Sequence, residues 1–140
     1  MIEAFSGGTE TILLVDDDAL IIDVGKQMME KLGYTVFTAM NGPAAIDSYR
    51  SKIDSIQMVV LDMMMPDMGG KDVYESLRKI DSTVRVLLSS GYTVDGEATE
   101  IMELGCNGFI QKPFSLQRLS IKLREILDGE RVRERLRMVS

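Results

Sequence analysis

One stretch of the chain, residues 56–70, constrains the fold more than any other. It begins with a run, residues 56–61, in which only Gln57 is polar, and it ends in a cluster that holds one proline and two glycines. A short, nearly all-apolar run bounded by turn residues is typical of a strand buried on both faces. Asp62 stands directly after this run. In open parallel α/β sheets ligands bind at that edge, although an aspartate there can also simply cap a turn.

The rest of the chain alternates between strand-like and helix-like segments. The β-rich runs predict strands at 11–15, 34–40, 56–61, 84–89 and 107–111. Apolar residues at helical spacing predict helices at 19–32, 44–52, 71–80 and 95–104, and a last helix that begins after Ser115 as its N-cap. Strict alternation of five strand–helix pairs predicts an α/β fold of the flavodoxin-like (βα)5 type. This is a doubly wound parallel sheet with strand order 2-1-3-4-5.

The spacing of apolar residues also predicts which helix faces are buried. For the first helix the predicted face is Leu20, Val24, Met28 and Leu32, and for the second it is Ala45, Ile46, Tyr49 and Ile53. We expect Gly33 to end the first helix and Gly105 to end the fourth, and Asp18 to cap the start of the first. The tripeptide at 41–43, Asn-Gly-Pro, is expected to turn the chain.

Composition excludes several function classes. The chain has 140 residues, one cysteine and no histidine, so an internal disulfide and a histidine general base are excluded and a zinc site nearly so. No stretch approaches the roughly 18–20 apolar residues that a membrane span needs, and the acidic N-terminus lacks the features of a signal peptide. We therefore expect a cytoplasmic location and no contact with membranes.

The charge is unevenly distributed. Residues 1–117 carry 9 Lys and Arg against 18 Asp and Glu, whereas residues 118–140 carry 7 against 4. An acidic body is a poor candidate for direct binding to nucleic acid. We expect one domain over 11–128, preceded by a linker or leader at 1–10. The basic tail at 129–140 either continues the last helix or is a frayed, solvated end.

Polar side chains follow four of the five predicted strands. Asp16 and Asp17 follow the first, Asp62 the third, Ser90 the fourth and Lys112 the fifth. Because parallel strands end at one edge of the sheet, these groups should converge, and three carboxylates together require a compensating cation. Mg²⁺ is the simplest choice, and carboxylate, ammonium, hydroxyl and metal together indicate phosphoryl transfer. Taken singly, each residue could be a turn residue or a solvated lysine.

At these positions the chain resembles the receiver domains of two-component response regulators, from about residue 11 to 128. The acidic-pair motif is matched by residues 13–18, LLVDDD, and the phosphoacceptor motif by 60–70, VLDMMMPDMGG. The switch-hydroxyl motif is matched by 87–91, LLSSG, and the lysine motif by 109–114, FIQKPF. The four motifs occur in the family's order and spacing.

The resemblance implies a role for each matched residue. Asp62 would be phosphorylated by a histidine kinase or a histidine phosphotransfer protein, with Ser90 and Lys112 holding the phosphoryl oxygens. The magnesium ligands would be Asp16 through water, and Asp17, Asp62 and the backbone carbonyl of Met64 directly. Phe109 would be the aromatic switch residue, and the bond from Lys112 to Pro113 would be cis.

The resemblance also implies a phosphoprotein that is not an enzyme, although it takes part in its own phosphorylation and dephosphorylation. Phosphorylation would reshape the surface formed by the fourth helix, fifth strand and fifth helix, which is also the candidate homodimer face. Two alternatives stay open: a Mg²⁺-dependent phosphohydrolase and a phosphorylation-independent pseudo-receiver. The sequence also leaves open whether the domain stands alone or belongs to a hybrid sensor kinase.

Overall fold

Five strands and five helices alternate along the chain. The computed structural model describes residues 7–91 and 96–139, with side chains through Gly129. The strands are β1 Thr11–Val15, β2 Thr35–Ala39, β3 Ile56–Asp62, β4 Val86–Ser90 and β5 Gly108–Gln111. The helices are α1 Ala19–Lys31, α2 Gly42–Ser51, α3 Gly70–Ile80, α4 Gly96–Glu103 and α5 Leu116–Val139. The predicted start of α4, Asp95, lies outside the described residues.

All strand pairs are parallel and the strand order is β2-β1-β3-β4-β5. The predicted fold class and strand order are therefore confirmed. The pairing also aligns the ends of three neighbouring strands. Asp62 is in register with Ser89, Ser90 is in register with Gln111, and the Lys112 N–H donates to the Ser90 carbonyl at 2.7 Å. The register thus brings the ends of β3, β4 and β5 to one edge.

Successive strand residues point to opposite faces, so the sheet separates two apolar layers. Leu13, Val15, Val59 and Leu61 pack under α2, α3 and α4, whereas Ile12, Leu14, Met58 and Val60 pack under α1 and α5. Each of these eight strand residues is essentially inaccessible to solvent. Burial on both faces explains why β1 and β3 are continuous apolar runs rather than alternating ones.

The predicted core face of α1 is confirmed at Met28 and Leu32, which are half-buried and pack against the core, but it is wrong at Leu20 and Val24. Leu20 is 67% exposed and Val24 is 40% exposed, whereas Gly25 and Met29 are buried. A series spaced by four residues advances about 400° per step in a helix, so it drifts about 40° each time and winds off the packing face. At Gly25 the helix approaches the sheet closely, since a Cβ there would lie 3.0 Å from a Leu14 methyl.

Two predictions for α2 also need correction. The Asn-Gly-Pro tripeptide starts the helix instead of turning the chain, because the Asn41 side chain accepts the Ala44 N–H at 2.8 Å and Pro43 occupies the first turn. The helix ends at Ser51, so Ile53 lies beyond it and is exposed, while Ala45 and Tyr49 are buried as predicted.

The other helix ends follow the sequence closely. Asp18 accepts the Leu20 N–H at 2.9 Å, and Ser115 accepts the Arg118 N–H at 3.0 Å. Gly33 and Gly105 have φ values of 105° and 114°, which is the left-handed conformation expected after a helix. Strand ends differ by one or two residues: β4 begins at Val86, after a turn in which the Val84 N–H donates to Asp81.

The segment before β1 is hydrogen-bonded to α5. The Arg124 guanidinium donates to both oxygens of Glu10, at 2.8 and 3.1 Å, and to Asp128 at 2.6 Å. The Thr35 N–H donates to the Glu10 carbonyl at 3.1 Å. Residues 7–10 therefore contact the domain, although the division into leader, domain and tail stays a prediction.

A glycine pair allows α3 to start close under the site. A Cβ on Gly70 would lie 2.8 Å from the Met63 Cα, whereas a Cβ on Gly69 would meet nothing within 4 Å. The Gly70 N–H donates to the Met63 carbonyl at 2.9 Å, which closes the loop after Asp62. The loop geometry next to Asp62 thus depends on the missing side chain at position 70.

We predict that Gly70→Ala lowers the free energy of unfolding by about 1–3 kcal/mol, because the added methyl group overlaps backbone that cannot move aside. The matched control is Gly69→Ala, which meets open space and should cost less than about 1 kcal/mol. Urea unfolding followed by circular dichroism measures both. Equal losses in the two variants would contradict this explanation of Gly70.

Candidate phosphoacceptor site

The ends of β1, β3 and β5 bring three predicted site residues into direct contact. The Lys112 Nζ donates to Asp16 Oδ2 at 2.8 Å and to Asp62 Oδ1 at 3.2 Å. Asp16 and Asp62 are 1% and 2% exposed, so both ion pairs lie largely out of solvent. Asp17 is exposed beside them, and oxygens of all three carboxylates lie within 4.8 Å of one another.

Backbone groups fix the orientation of the buried carboxylates. Asp16 Oδ1 accepts the Asp18 N–H at 2.9 Å, and Asp62 Oδ1 accepts the Met64 N–H at 3.3 Å. The peptide bond from Lys112 to Pro113 is cis, as the resemblance implied. Each carboxylate is therefore held by its own following turn, and the lysine bridges the two turns.

The remaining predicted site residues lie around this centre. Ser90 is buried at the end of β4, and its neighbour Ser89 is buried next to Asp62 in register. Phe109 is half-buried on β5 and packs against the layer that holds α4. Met64 is exposed after β3, where its N–H contacts Asp62. The phosphorylation, metal and switch roles of these residues remain predictions.

Sequence reasoning missed two features of the site. It assigned Lys112 to phosphoryl oxygens and did not foresee that the lysine would bridge Asp16 and Asp62. The signal was present, because three carboxylates and one ammonium at one edge must pair. It also placed Leu20 and Val24 in the core, whereas both are exposed at the start of α1, directly after the acidic pair.

Burial and the crowding of charge shift the pKa values of both Asp62 and Lys112. Desolvation, and then the nearby Asp16 carboxylate, raise the pKa of Asp62 to about 6, although Lys112 and the Met64 N–H act in the opposite direction. Burial alone would lower the pKa of Lys112, but its bonds to Asp16 and Asp62 outweigh burial, so its pKa is raised. An ionised Asp62 is therefore costly in the protein without a metal ion.

The donor set fits Mg²⁺. Asp16, Asp17 and Asp62 carry three negative charges when ionised and Lys112 carries one positive charge, so the edge is short of positive charge. Hard carboxylate oxygens close together are the ligands that Mg²⁺ prefers. The raised pKa of Asp62 is consistent with this, because a nearby cation would favour the carboxylate that burial, and then the Asp16 charge, disfavour.

We predict that Asp62→Asn stabilises the metal-free protein at neutral pH. Asp62 ionises below pH 4 in the unfolded chain but near pH 6 in the folded one, so wild-type stability falls as the pH rises through that window. The gain on substitution should be about 2–3 kcal/mol above pH 6 and should vanish below about pH 4. Urea unfolding in EDTA across this range measures it.

The control for this experiment is Asp67→Asn, which removes an exposed carboxylate from the same loop. It should change the free energy of unfolding by less than about 0.5 kcal/mol at every pH. A gain for Asp62→Asn that does not depend on pH would contradict the assignment of the penalty to the ionised carboxylate.

Comparison with known proteins gives the site its family context. Residues 12–124 match the family model of the response regulator receiver domain. The chain is 32% identical over 123 residues to the sensor kinase CckA of Brucella abortus, covering 88% of this chain and 13% of that protein. It is 36% identical over 118 residues to the probable transcriptional regulator ycf27 of Porphyra purpurea, covering 84% and 47%. The chain thus spans less than half the length of these relatives.

Comparison with solved structures agrees with the family match. A response regulator receiver domain protein from Clostridium thermocellum superposes with a TM-score of 0.83 at 27% identity, covering 88% of this chain and 98% of that one. Within the described residues, no helix is both long and apolar enough to cross a membrane. The four motifs, the strand order and the family match lead to one conclusion: the chain belongs to the response regulator receiver domains of two-component signalling systems.

Proposed function

We propose that Asp62 accepts a phosphoryl group from a phosphohistidine on a histidine kinase or a histidine phosphotransfer protein. The observation that carries this proposal is the bridge from Lys112 to Asp62 and Asp16. It places a cation within 3.2 Å of the proposed nucleophile, where charge on the transferring group needs to be neutralised. A carboxylate is nucleophilic when ionised, so the absence of histidine from the chain is no obstacle.

The proposed step forms a bond from an Asp62 oxygen to phosphorus and breaks the bond from phosphorus to the donor's imidazole nitrogen. The imidazole keeps the electron pair of that bond and takes a proton. Lys112 would exchange its contact with Asp62 for a phosphoryl oxygen, and the Ser90 hydroxyl would donate to another. Bound Mg²⁺, held by Asp16, Asp17, Asp62 and the Met64 carbonyl, would supply further neutralising charge.

The exposed start of α1 is a candidate surface for contact with the protein that donates the phosphoryl group. Leu20 and Val24 are large apolar side chains that the fold leaves outside the core, and they follow the acidic pair by only a few residues. We propose that this face contacts the kinase or phosphotransfer protein while its phosphohistidine reaches Asp62.

The proposed output is a change on the surface of α4, β5 and α5. Phe109 and the exposed Ile121 line a groove of about 340 Å³ on this surface. Next to it, α4 is joined to α3 by an ion pair between the Lys71 ammonium and Glu100. Movement of Ser90 toward a phosphoryl oxygen would pull on the chain that leads into α4. A second copy of the chain is the proposed partner for this surface, and the acidic body argues against direct contact with nucleic acid.

The hydrolase alternative gains no support from the described residues. They contain one cluster of three metal-ligating side chains, whereas hydrolases of this kind need a second metal or a water-activating base. The two functions predict different products, a phosphorylated protein or free phosphate.

We predict that acetyl phosphate adds one phosphoryl group to the protein in the presence of Mg²⁺ and none in EDTA, read by intact mass. Asp62→Ala should remain unmodified, because it lacks the nucleophile. Asp67→Ala, which removes an exposed carboxylate of the same loop, should be modified like the wild type. Phosphate release without a mass increase would favour a hydrolase, and neither signal would favour a pseudo-receiver.

We predict that the double variant Leu20→Ala with Val24→Ala slows transfer from a phosphorylated histidine kinase by about tenfold or more, through lost docking contacts. The kinase is one that phosphorylates the wild-type chain, and radiolabelled transfer gives the rate. Modification by acetyl phosphate should be unchanged, since it needs no docking face. Ile53→Ala, at an exposed apolar residue beyond α2, is the matched control. Equal slowing with both donors would contradict a docking role.

A further inference from the structure

A polar groove of about 320 Å³ lies at the edge of the sheet opposite the carboxylates. It is lined by the end of α3, the turns that lead into β4 and β5, and the middle of α5. Because the strands are parallel and rise about 3.3 Å per residue, the groove is on the order of 15 Å from the phosphoacceptor edge. The proposed phosphorylation chemistry does not use it.

Positive charge is concentrated in this groove. Its lining holds three cationic side chains, Arg78, Arg85 and Lys122, and one carboxylate, Glu125, while Asp81 lies outside the lining and interacts electrostatically with Arg85. The surrounding body is strongly acidic, with 9 Lys and Arg against 18 Asp and Glu over residues 1–117. Lys122 faces Glu125 at 3.7 Å, a distance at which an exposed pair contributes little. The groove is therefore a local exception to the charge of the domain.

The groove also offers hydrogen-bond donors already held in place. Arg78 lies over the Tyr74 ring at 5.8 Å, and its Nη1 donates to the Tyr74 hydroxyl and the Leu104 carbonyl. The Asn107 side-chain oxygen accepts the Val86 N–H at 2.9 Å, which directs the NH₂ end away from that bond. Within the described part of the chain, Nε and Nη2 of Arg78 and this NH₂ group have no partner.

A glycine in α5 keeps one wall of the groove open. Gly129 lines it, and a Cβ at that position would meet nothing within 4 Å. Glycine inside a helix costs about 1 kcal/mol relative to alanine, so packing does not explain its presence.

We propose that this groove binds a small organic phosphate. Several fixed donors and an excess of cations match the acceptor oxygens and charge of a phosphate group. A volume of about 320 Å³ is at the lower end for ligand sites, which suits a mononucleotide or a sugar phosphate. The acidic body around the groove would repel a long polyanion, so nucleic acid does not fit.

The test is a titration of the full chain followed by amide chemical shifts in ¹⁵N-labelled protein, at constant ionic strength and in EDTA. The probes are AMP and glucose 6-phosphate, with inorganic phosphate and sulfate as simple anions. At least one ester should give saturable shifts at Ser82, Asn107 and Gly108, with a Kd of about 1 mM or below and tighter than the simple anions. No saturable shift, or equal binding of sulfate, overturns the proposal.

Variants locate the binding. Lys122→Gln and Arg85→Gln should each weaken it about tenfold by removing a charged contact, and Gly129→Leu should block it without changing the charge. Arg50→Gln, at an exposed arginine on α2, is the matched control and should bind like the wild type. Weakening by the control, or unchanged binding in all three groove variants with folding verified by circular dichroism, overturns the site.

Asp62→Ala separates this inference from the proposed function. The variant cannot be phosphorylated on Asp62, yet it should bind the ester as the wild type does. Altered binding in Asp62→Ala, and above all the tighter binding expected when a carboxylate is removed next to a bound phosphate, would place the ester at the carboxylate edge and overturn the groove assignment.

Discussion

The carboxylate edge depends on one partly buried ammonium. Lys112 lies between Asp16 and Asp62, and it reaches Asp16 from the end of β5 across two intervening strands of the sheet. Without it, two carboxylates that are almost fully buried would face each other in a poorly solvated edge, at a cost of several kcal/mol. When Asp17 is counted as well, the edge has three carboxylates against the one ammonium of Lys112. This shortage of positive charge suits the edge to binding a metal ion. The same contact therefore offsets the repulsion between the two carboxylates and places a cation beside the proposed phosphoacceptor.

The backbone around that contact is built for close approach. Asp16 and Asp62 are each held by an N–H two residues further along the chain, so the turn after each strand orients the carboxylate that precedes it. Gly70 lets α3 begin against Met63, and the peptide bond from Lys112 to Pro113 is cis. These local choices place the charged groups at the strand ends, while the two apolar layers below them supply the packing.

Much of this could be predicted from the sequence because the patterns were local. The buried strands are visible in the sequence as continuous apolar runs. The helix ends are marked by the N-capping side chains of Asp18 and Ser115 and by the glycines that follow helices, Gly33 and Gly105. The α1 face could not be predicted in the same way, because a helix with apolar residues on two sides does not show which side meets the sheet. Gly25, which has no hydrophobic signal, marks the closest approach to Leu14. The bridge through Lys112 joins residues 96 positions apart, and only the assembled sheet sets its partners.

The errors about α1 also bear on function. A side chain that follows the hydrophobic pattern of a helix but stays exposed must be tolerated or used, and Leu20 is the most exposed of the large hydrophobic residues described. Its position after the acidic pair fits the proposed docking role, which core packing does not explain. The two polar regions of the domain differ in charge: the carboxylate edge has three carboxylates against one ammonium, whereas the lining of the groove at the start of β4 and β5 has three cations against one carboxylate. A sheet of parallel strands separates these edges, so the proposed phosphoacceptor site and the proposed phosphate-binding groove do not neutralise each other.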